Sequence, residues 1–369
     1  MIKKIVCFVF IFLLFTINVS AEETDIYKEQ LEKSGALELE QSLPHDVKEY
    51  LNQAEIDIND YTWVSNLKPE NVFSHIWNFI KGGFKAPLIA LGSIVAIIIL
   101  NSILFEEKQS SISLACGYAA TLAITGIIIV PIISAINTAV KAMKACATFM
   151  TAFVPVFAAI TAATGKTATA ASMGAMLLGA ANGVSLLSNF GVVPLIGGYL
   201  SLSLSTSVSP FISNNGISSA VKKLSLWVMS FISTVFLGVL SIQTVVNSAA
   251  DNLSMRTAKF IIGSAVPVAG GVLSEALGTL TASVSLLKSS VGIYGVVICC
   301  LIFLPILIEL LLWRFTLWVA NFVSQTFSLS KISGLLESID TVLSVLIGVI
   351  LLTAAMFIIS LSVCVGQGG

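Results

Sequence analysis

Charge is what this chain has least of. Only 11% of its 369 residues are Asp, Glu, Lys or Arg, against roughly 25% in ordinary soluble domains. A soluble surface for so long a chain needs far more charge, so a buried soluble core does not explain a hydrophobic content of 56%. Histidine is scarce as well. His45 and His75 are the two present, and no cluster of further ligands accompanies them, which argues against a metal site. The six cysteines form no CxxC pair and no spaced framework in the polar part of the chain, which argues against disulfides and structural zinc. Cys116, Cys146, Cys299, Cys300 and Cys364 lie in or beside apolar runs and read as small hydrophobes between helices. There is no HExxH motif, no nucleophile elbow and no paired intramembrane carboxylate, so the sequence assigns neither enzyme chemistry nor a cofactor. Gly165-Lys166-Thr167 ends like a phosphate-binding loop, but Ile160 stands where that loop requires glycine. Neither a nucleotide nor a nucleic acid is expected as a partner.

What charge there is falls unevenly. Residues 22–73 hold 13 acidic and 4 basic residues, and the rest of the chain holds 7 acidic and 15 basic. Residues 1–21 read as a signal peptide: Lys3 and Lys4, an apolar stretch over 5–17, then Val19-Ser20-Ala21 before Glu22. An uncleaved first anchor is the alternative. Residues 22–84 then form an acidic extracytoplasmic segment with a small apolar face, too little for a large core of its own. Residues 85–369 form the transmembrane domain. The expected fold class is all-α: a polytopic integral membrane protein with about 6–8 transmembrane helices, each needing roughly 20 apolar residues. Six full spans are expected, over 86–105, 112–140, 191–207, 224–246, 291–312 and 343–365.

Two shorter stretches interrupt that series. The more unusual is 256–271, reading RTAKFIIGSAVPVAGG. It carries Arg256, Lys259, Phe260, Pro267, Gly270 and Gly271 inside a very apolar chain. A basic, Pro- and Gly-containing helix is costly beside lipid, so it should face protein, a wet cavity or the interface. An older copy lies upstream, with Phe149 and Pro155 as counterparts. Val154-Pro155-Val156 matches Val266-Pro267-Val268, and Asn137-Thr138-Ala139 matches Asn247-Ser248-Ala249, at an offset of about 110 residues. The repeat halves are about 112–207 and 224–312. Each is expected to hold a Pro-broken, re-entrant hairpin, at about 149–187 and 260–287, lining a site or pore. Fully crossing hairpins would raise the number of spans.

Two carboxylates fall in apolar surroundings, Glu275 and Glu309. An intramembrane carboxylate is a functional candidate, set against structural pairing of Glu275 with Lys288 across a hairpin and of Glu309 with Arg314. Topology is read from conflicting signals. The leader places Glu22 outside, yet six spans then leave Lys141, Lys144, Arg256 and Lys259 outside too, against the usual cytoplasmic excess of cations. The leader is the stronger signal because its three parts coincide.

Val235-Phe236-Leu237-Gly238-Val239-Leu240-Ser241-Ile242-Gln243, then Arg256-Thr257-Ala258-Lys259-Phe260 and Val266-Pro267-Val268-Ala269-Gly270, resemble the stage III sporulation protein AE family. The order of leader, acidic segment and spans extends the resemblance over nearly the whole chain. It implies a membrane subunit of a channel or secretion-like complex linking mother cell and forespore, in the mother-cell-derived outer forespore membrane. The partners it implies are other proteins of the stage III sporulation A operon, including a secretion-type ATPase and ring-forming subunits. Membrane lipid surrounds the chain, and self-association into a homo-oligomer stays open. No catalytic residues come with the family. The alternative from the residues alone is a secondary transporter that binds a small solute through the repeat.

Overall fold

The computed structural model describes residues 24–53, 56–59, 63, 83–104, 111–186, 193–208, 220, 223–225, 227–228, 230–242 and 270–366, with backbone alone over 270–283. Among them there is no strand. The N-terminal segment comprises α1 (Thr24–Ser34), a 3-10 turn (Ala36–Ser42) and α2 (His45–Gln53). Next come α3 (Lys85–Leu104), α4 (Ser111–Ala163), α5 (Thr167–Leu186) and α6 (Val193–Val208). They are followed by α7 (Lys223–Ile242), α8 (Gly270–Thr326) and α9 (Ser330–Gly366).

Local chemistry sets the helix ends. Gly35, at φ 73°, closes α1 in the left-handed region that glycine tolerates best. Leu43 is extended because Pro44 follows it, and the Pro44 carbonyl accepts the first bonds of α2 from Val47 and Lys48. Gly165, at φ 81°, closes α4 and turns the chain into α5. At the α8–α9 turn Ser328 takes the same conformation, at φ 59°. There the Leu329 N–H donates to the Ser324 carbonyl at 3.0 Å and the Ser328 N–H to the Gln325 carbonyl at 2.9 Å. This is a Schellman cap with serine in the usual glycine position.

Among the described residues, five helical stretches are long and apolar enough to cross a membrane: Lys85–Ile103, Ala115–Ala163, Lys223–Ile242, Val284–Thr326 and Ser330–Val363. The chain is an all-α polytopic membrane protein. Helix α6, expected as a further span, has 16 residues, just under the roughly 17 needed.

The helix breaks differ from those expected. Pro131 and Pro155 both lie inside α4, which runs unbroken for 53 residues. The hairpin at 149–187 is present as α4 turning into α5 at Gly165, but its first arm continues the preceding span without a break. Proline removes one backbone bond, a loss that packing and nearby hydroxyls can absorb in an apolar helix. Pro155 leaves the Thr151 carbonyl without its helical donor, on the exposed side of α4. In the second half, α8 runs through from Gly270 to Thr326, so the division between 287 and 291 does not exist. Arg256, Lys259, Phe260 and Pro267 lie outside the described residues, as do the leader and the first arm of the second hairpin.

Helices α4, α8 and α9 form the centre. Helix α8 runs antiparallel to both neighbours. Gly292 faces Phe157 and Val365, Gly295 faces Phe153 and Leu361, and Cys299 meets Cys146. Toward the other end of α8, Arg314 meets Asp340 of α9 and Thr316 donates to the Pro87 carbonyl of α3 at 3.4 Å. The bundle therefore has two tiers. The upper holds the C-terminal part of α4, α5, the first half of α8 and the end of α9. The lower holds α3, the first half of α4, the end of α8 and the start of α9.

Candidate functional site

The densest constellation is at the top of the bundle. Phe149, Phe153 and Phe157 recur every four residues on α4 and are buried. Their rings follow one another at 5.4 and 5.3 Å between centroids, spacings at which aromatic pairs attract. Gly292 and Gly295 of α8 make room for this ladder. A Cβ on Gly295 would stand 2.8 Å from Phe153 Cε2, and one on Gly292 would collide with Val365. Phe149 is thus a core residue at the base of a packed aromatic column. Pro155 sits on the opposite, exposed side of α4.

The N-terminal segment roofs this column. Tyr27, Leu31, Leu39, Val47, Leu51 and Trp63 are buried and belong to the same apolar core as α4 and α8. The Tyr27 hydroxyl donates to the Ile58 carbonyl at 3.0 Å and shares a 3.1 Å hydrogen bond with the Ser290 hydroxyl of α8. Trp63 meets Tyr294 edge to face at 6.2 Å between centroids. Gly35 reaches Val156: a Cβ there would lie 3.9 Å from its Cγ2. The segment's scattered apolar residues, too few for a core of their own, complete one that α4 and α8 begin. Its outer side stays charged. Lys33 Nζ lies 2.6 Å from Glu29 Oε1 on exposed α1, and the hydrogen bond from Lys33 holds that carboxyl below its ordinary range.

The carboxylate pairings differ from those expected. Arg314 Nε donates to Asp340 Oδ1 at 2.9 Å, an ion pair with α9 in place of the expected one with Glu309. Glu309 is half-buried on α8, five residues before Arg314, and that spacing is one beyond the favoured i,i+4. Glu275 and Lys288 occupy one continuous helix, about 20 Å apart along its axis. A pairing across a hairpin is therefore ruled out. Gly270 and Gly271 open the same helix. Of the expected site residues, the structure brings Phe149 into a packed cluster and does not gather Pro155, Gly270, Gly271 and Glu309 around a common point.

Chemically the upper tier holds things together more than it reacts. Cys146 and Cys299 Sγ stand 3.6 Å apart, buried, as a thiol–thiol contact between α4 and α8. No group of three or more His, Cys, Asp or Glu that could hold a metal occurs among the described residues. The four-residue phenylalanine spacing and the Gly292–Gly295 pair were visible in the sequence as a signal for this packing. The Tyr27–Ser290 contact joins residues 263 apart and was not.

Fold and packing together define a multi-pass, all-helical membrane protein whose polar N-terminal segment is docked onto its own bundle. The signature of the family described as stage III sporulation protein AE matches residues 57–368. The chain belongs to that family. A relative named stage III sporulation protein AE, from Bacillus subtilis (strain 168), is 28% identical over 235 residues. That match covers 63% of this chain and 59% of the relative. No solved structure matches the chain.

Proposed function

We propose that the protein is a membrane subunit of a channel or secretion-like complex between mother cell and forespore, required for forespore development. The observation that carries this reading is the family match across 57–368. In this reading the chain sits in the mother-cell-derived outer forespore membrane, with residues 22–84 outside the cytoplasm. Its partners are the other proteins of the stage III sporulation A operon, including a secretion-type ATPase and ring-forming subunits. The role is architectural and not catalytic. The roof supports it in physical terms: the segment is anchored through apolar residues and turns a charged outer face to the intermembrane space. Charged rims steer partners and set specificity.

Capture of the tagged full-length chain from sporulating cells, after cross-linking, tests the reading. Recovery of the ATPase and ring-forming subunits, with forespore development arrested when the chain is deleted, is the expected result. Normal development without the chain, or capture without either class of partner, contradicts it. Saturable solute uptake by the purified chain alone in liposomes would point to a transporter instead.

A further inference from the structure

Helices α4 and α8 are too long for one bilayer. They hold 53 and 57 residues, about 80 and 86 Å, against a hydrocarbon core of about 30 Å. Most of each helix must therefore lie outside the lipid. The exposed side chains show which part. On α4 below Lys141 the exposed set includes the large apolar residues Leu122, Val130 and Ile133, with Ser134, Asn137 and Thr138 in the last turns before Lys141. Above Lys144 the exposed residues are Thr148, Thr151, Pro155, Ala159 and Ala163. Helix α5 continues that pattern with Thr167, Ala171, Ala175, Gly179 and Asn182. Helix α8 divides somewhat lower, at Leu311, about 18 Å along the helix from the Cys146–Cys299 contact. No residue over 284–310 is exposed, whereas Leu311, Phe315, Trp318 and Phe322 are.

Cations mark the two edges of the apolar belt. At the bottom, Lys331 Nζ lies 3.4 Å from the ring centre of Tyr118, an amphipathic pairing suited to a membrane interface. At the top, Lys141 and Lys144 are exposed on α4. Lys141 follows Tyr118 by 23 residues of unbroken helix, which is about 35 Å, one bilayer core and a little over. Helix α3, with Leu88, Ile89, Leu100 and Ile103 exposed, packs against this same lower level through Pro87 and Thr316. The Arg314–Asp340 pair lies within the belt, where the two charges offset one another.

We propose that the bilayer surrounds only the lower tier, from Tyr118 to Lys141 on α4. The upper tier is an apolar extension that stands clear of the membrane beneath the N-terminal segment. Lys141 and Lys144 reach the phosphates of the leaflet on that side. The aromatic ladder is then shielded from water by α5, α8, α9 and the roof, and not by lipid. The α4–α5 hairpin is a protruding arm and not a re-entrant loop.

Acylation of the wild-type full-length chain in proteoliposomes tests this without any substitution. With a membrane-impermeant, sulfonated succinimidyl ester and peptide mass spectrometry, Lys141 and Lys144 should be modified to the same end fraction as Lys33 of the N-terminal segment. Lysines 141 and 144 left intact until detergent is added, while Lys33 is consumed, would overturn the proposal. Cysteine labelling gives an independent readout, with the parent chain as baseline. Thr148→Cys and Ala159→Cys should react with an impermeant maleimide more than about tenfold faster than Val130→Cys, because lipid suppresses the reactive thiolate. Equal protection at all three positions would overturn it as well.

Discussion

Two stretches of α8 lie within one apolar run, Val284–Thr326, and are covered in opposite ways. Over 284–310 the helix is enclosed by α4, α9 and the N-terminal segment, with no residue exposed. From Leu311 to Phe327 it turns Phe315, Trp318 and Phe322 outward. Length and hydropathy place both in a single candidate span, because hydropathy measures aversion to water and not what replaces the water. Lipid can cover a helix that keeps large side chains outside. Protein covers one whose small residues let neighbours come close.

Substitutions can break that comparison, and the largest contrast is expected in the aromatic column. Phe153→Ala should destabilise the protein by about 3–5 kcal/mol through lost burial and a cavity. Phe322→Ala, on the exposed face, should stay within about 0.5 kcal/mol. Thermal unfolding in one detergent measures both, and equal losses would erase the distinction between tiers. A glycine pair sharpens it. Gly295→Ala forces a methyl to 2.8 Å from Phe153 and should cost about 1–3 kcal/mol. Gly126→Ala meets nothing within 4 Å in the lower tier and should gain up to about 1 kcal/mol of helix propensity.

Smaller effects probe the roof and the far turn. Tyr27→Phe removes the hydroxyl shared with Ile58 and Ser290 and should cost about 1 kcal/mol of docking. Limited proteolysis within the N-terminal segment should accelerate while the bundle stays resistant; unchanged cleavage would mean the hydroxyl does not hold the roof. Ser328→Gly puts glycine into the left-handed position of the α8–α9 cap and should raise the unfolding midpoint slightly, by less than about 1 kcal/mol in stability. A lowered midpoint would show that the serine contributes more than the conformation costs.

Much of this fold was legible from the residues. The low charge and the long apolar runs lead directly to an all-α membrane protein, and Lys85–Leu104 lies within one residue of the stretch expected there. The breaks were misplaced because the turn at Lys141 and Lys144 was read as ending a span and Pro155 as breaking the next helix, whereas Ser111–Ala163 is one helix with Pro155 inside it. Inside an apolar bundle the surrounding packing outweighs one missing backbone bond. The roof was hidden for a different reason. Tyr27, Leu31, Leu39 and Leu51 follow no single period, since a 3-10 turn separates α1 from α2, and their partners lie on α4 and α8 far along the chain. Arg314 was matched with Glu309 on its own helix, when its partner Asp340 lies across the turn on α9. Local spacing cannot reveal a contact that only tertiary pairing creates.

The most direct test of the two-tier account is an electron cryo-microscopy map of the full-length chain in a lipid nanodisc. The lipid belt should be about 30 Å thick and should encircle Leu122, Val130, Phe315 and Trp318, with Phe149–Phe157 and the N-terminal segment projecting beyond it on one side. A belt centred on Phe153 and Tyr294, with Phe315 and Trp318 left in water, would contradict the account.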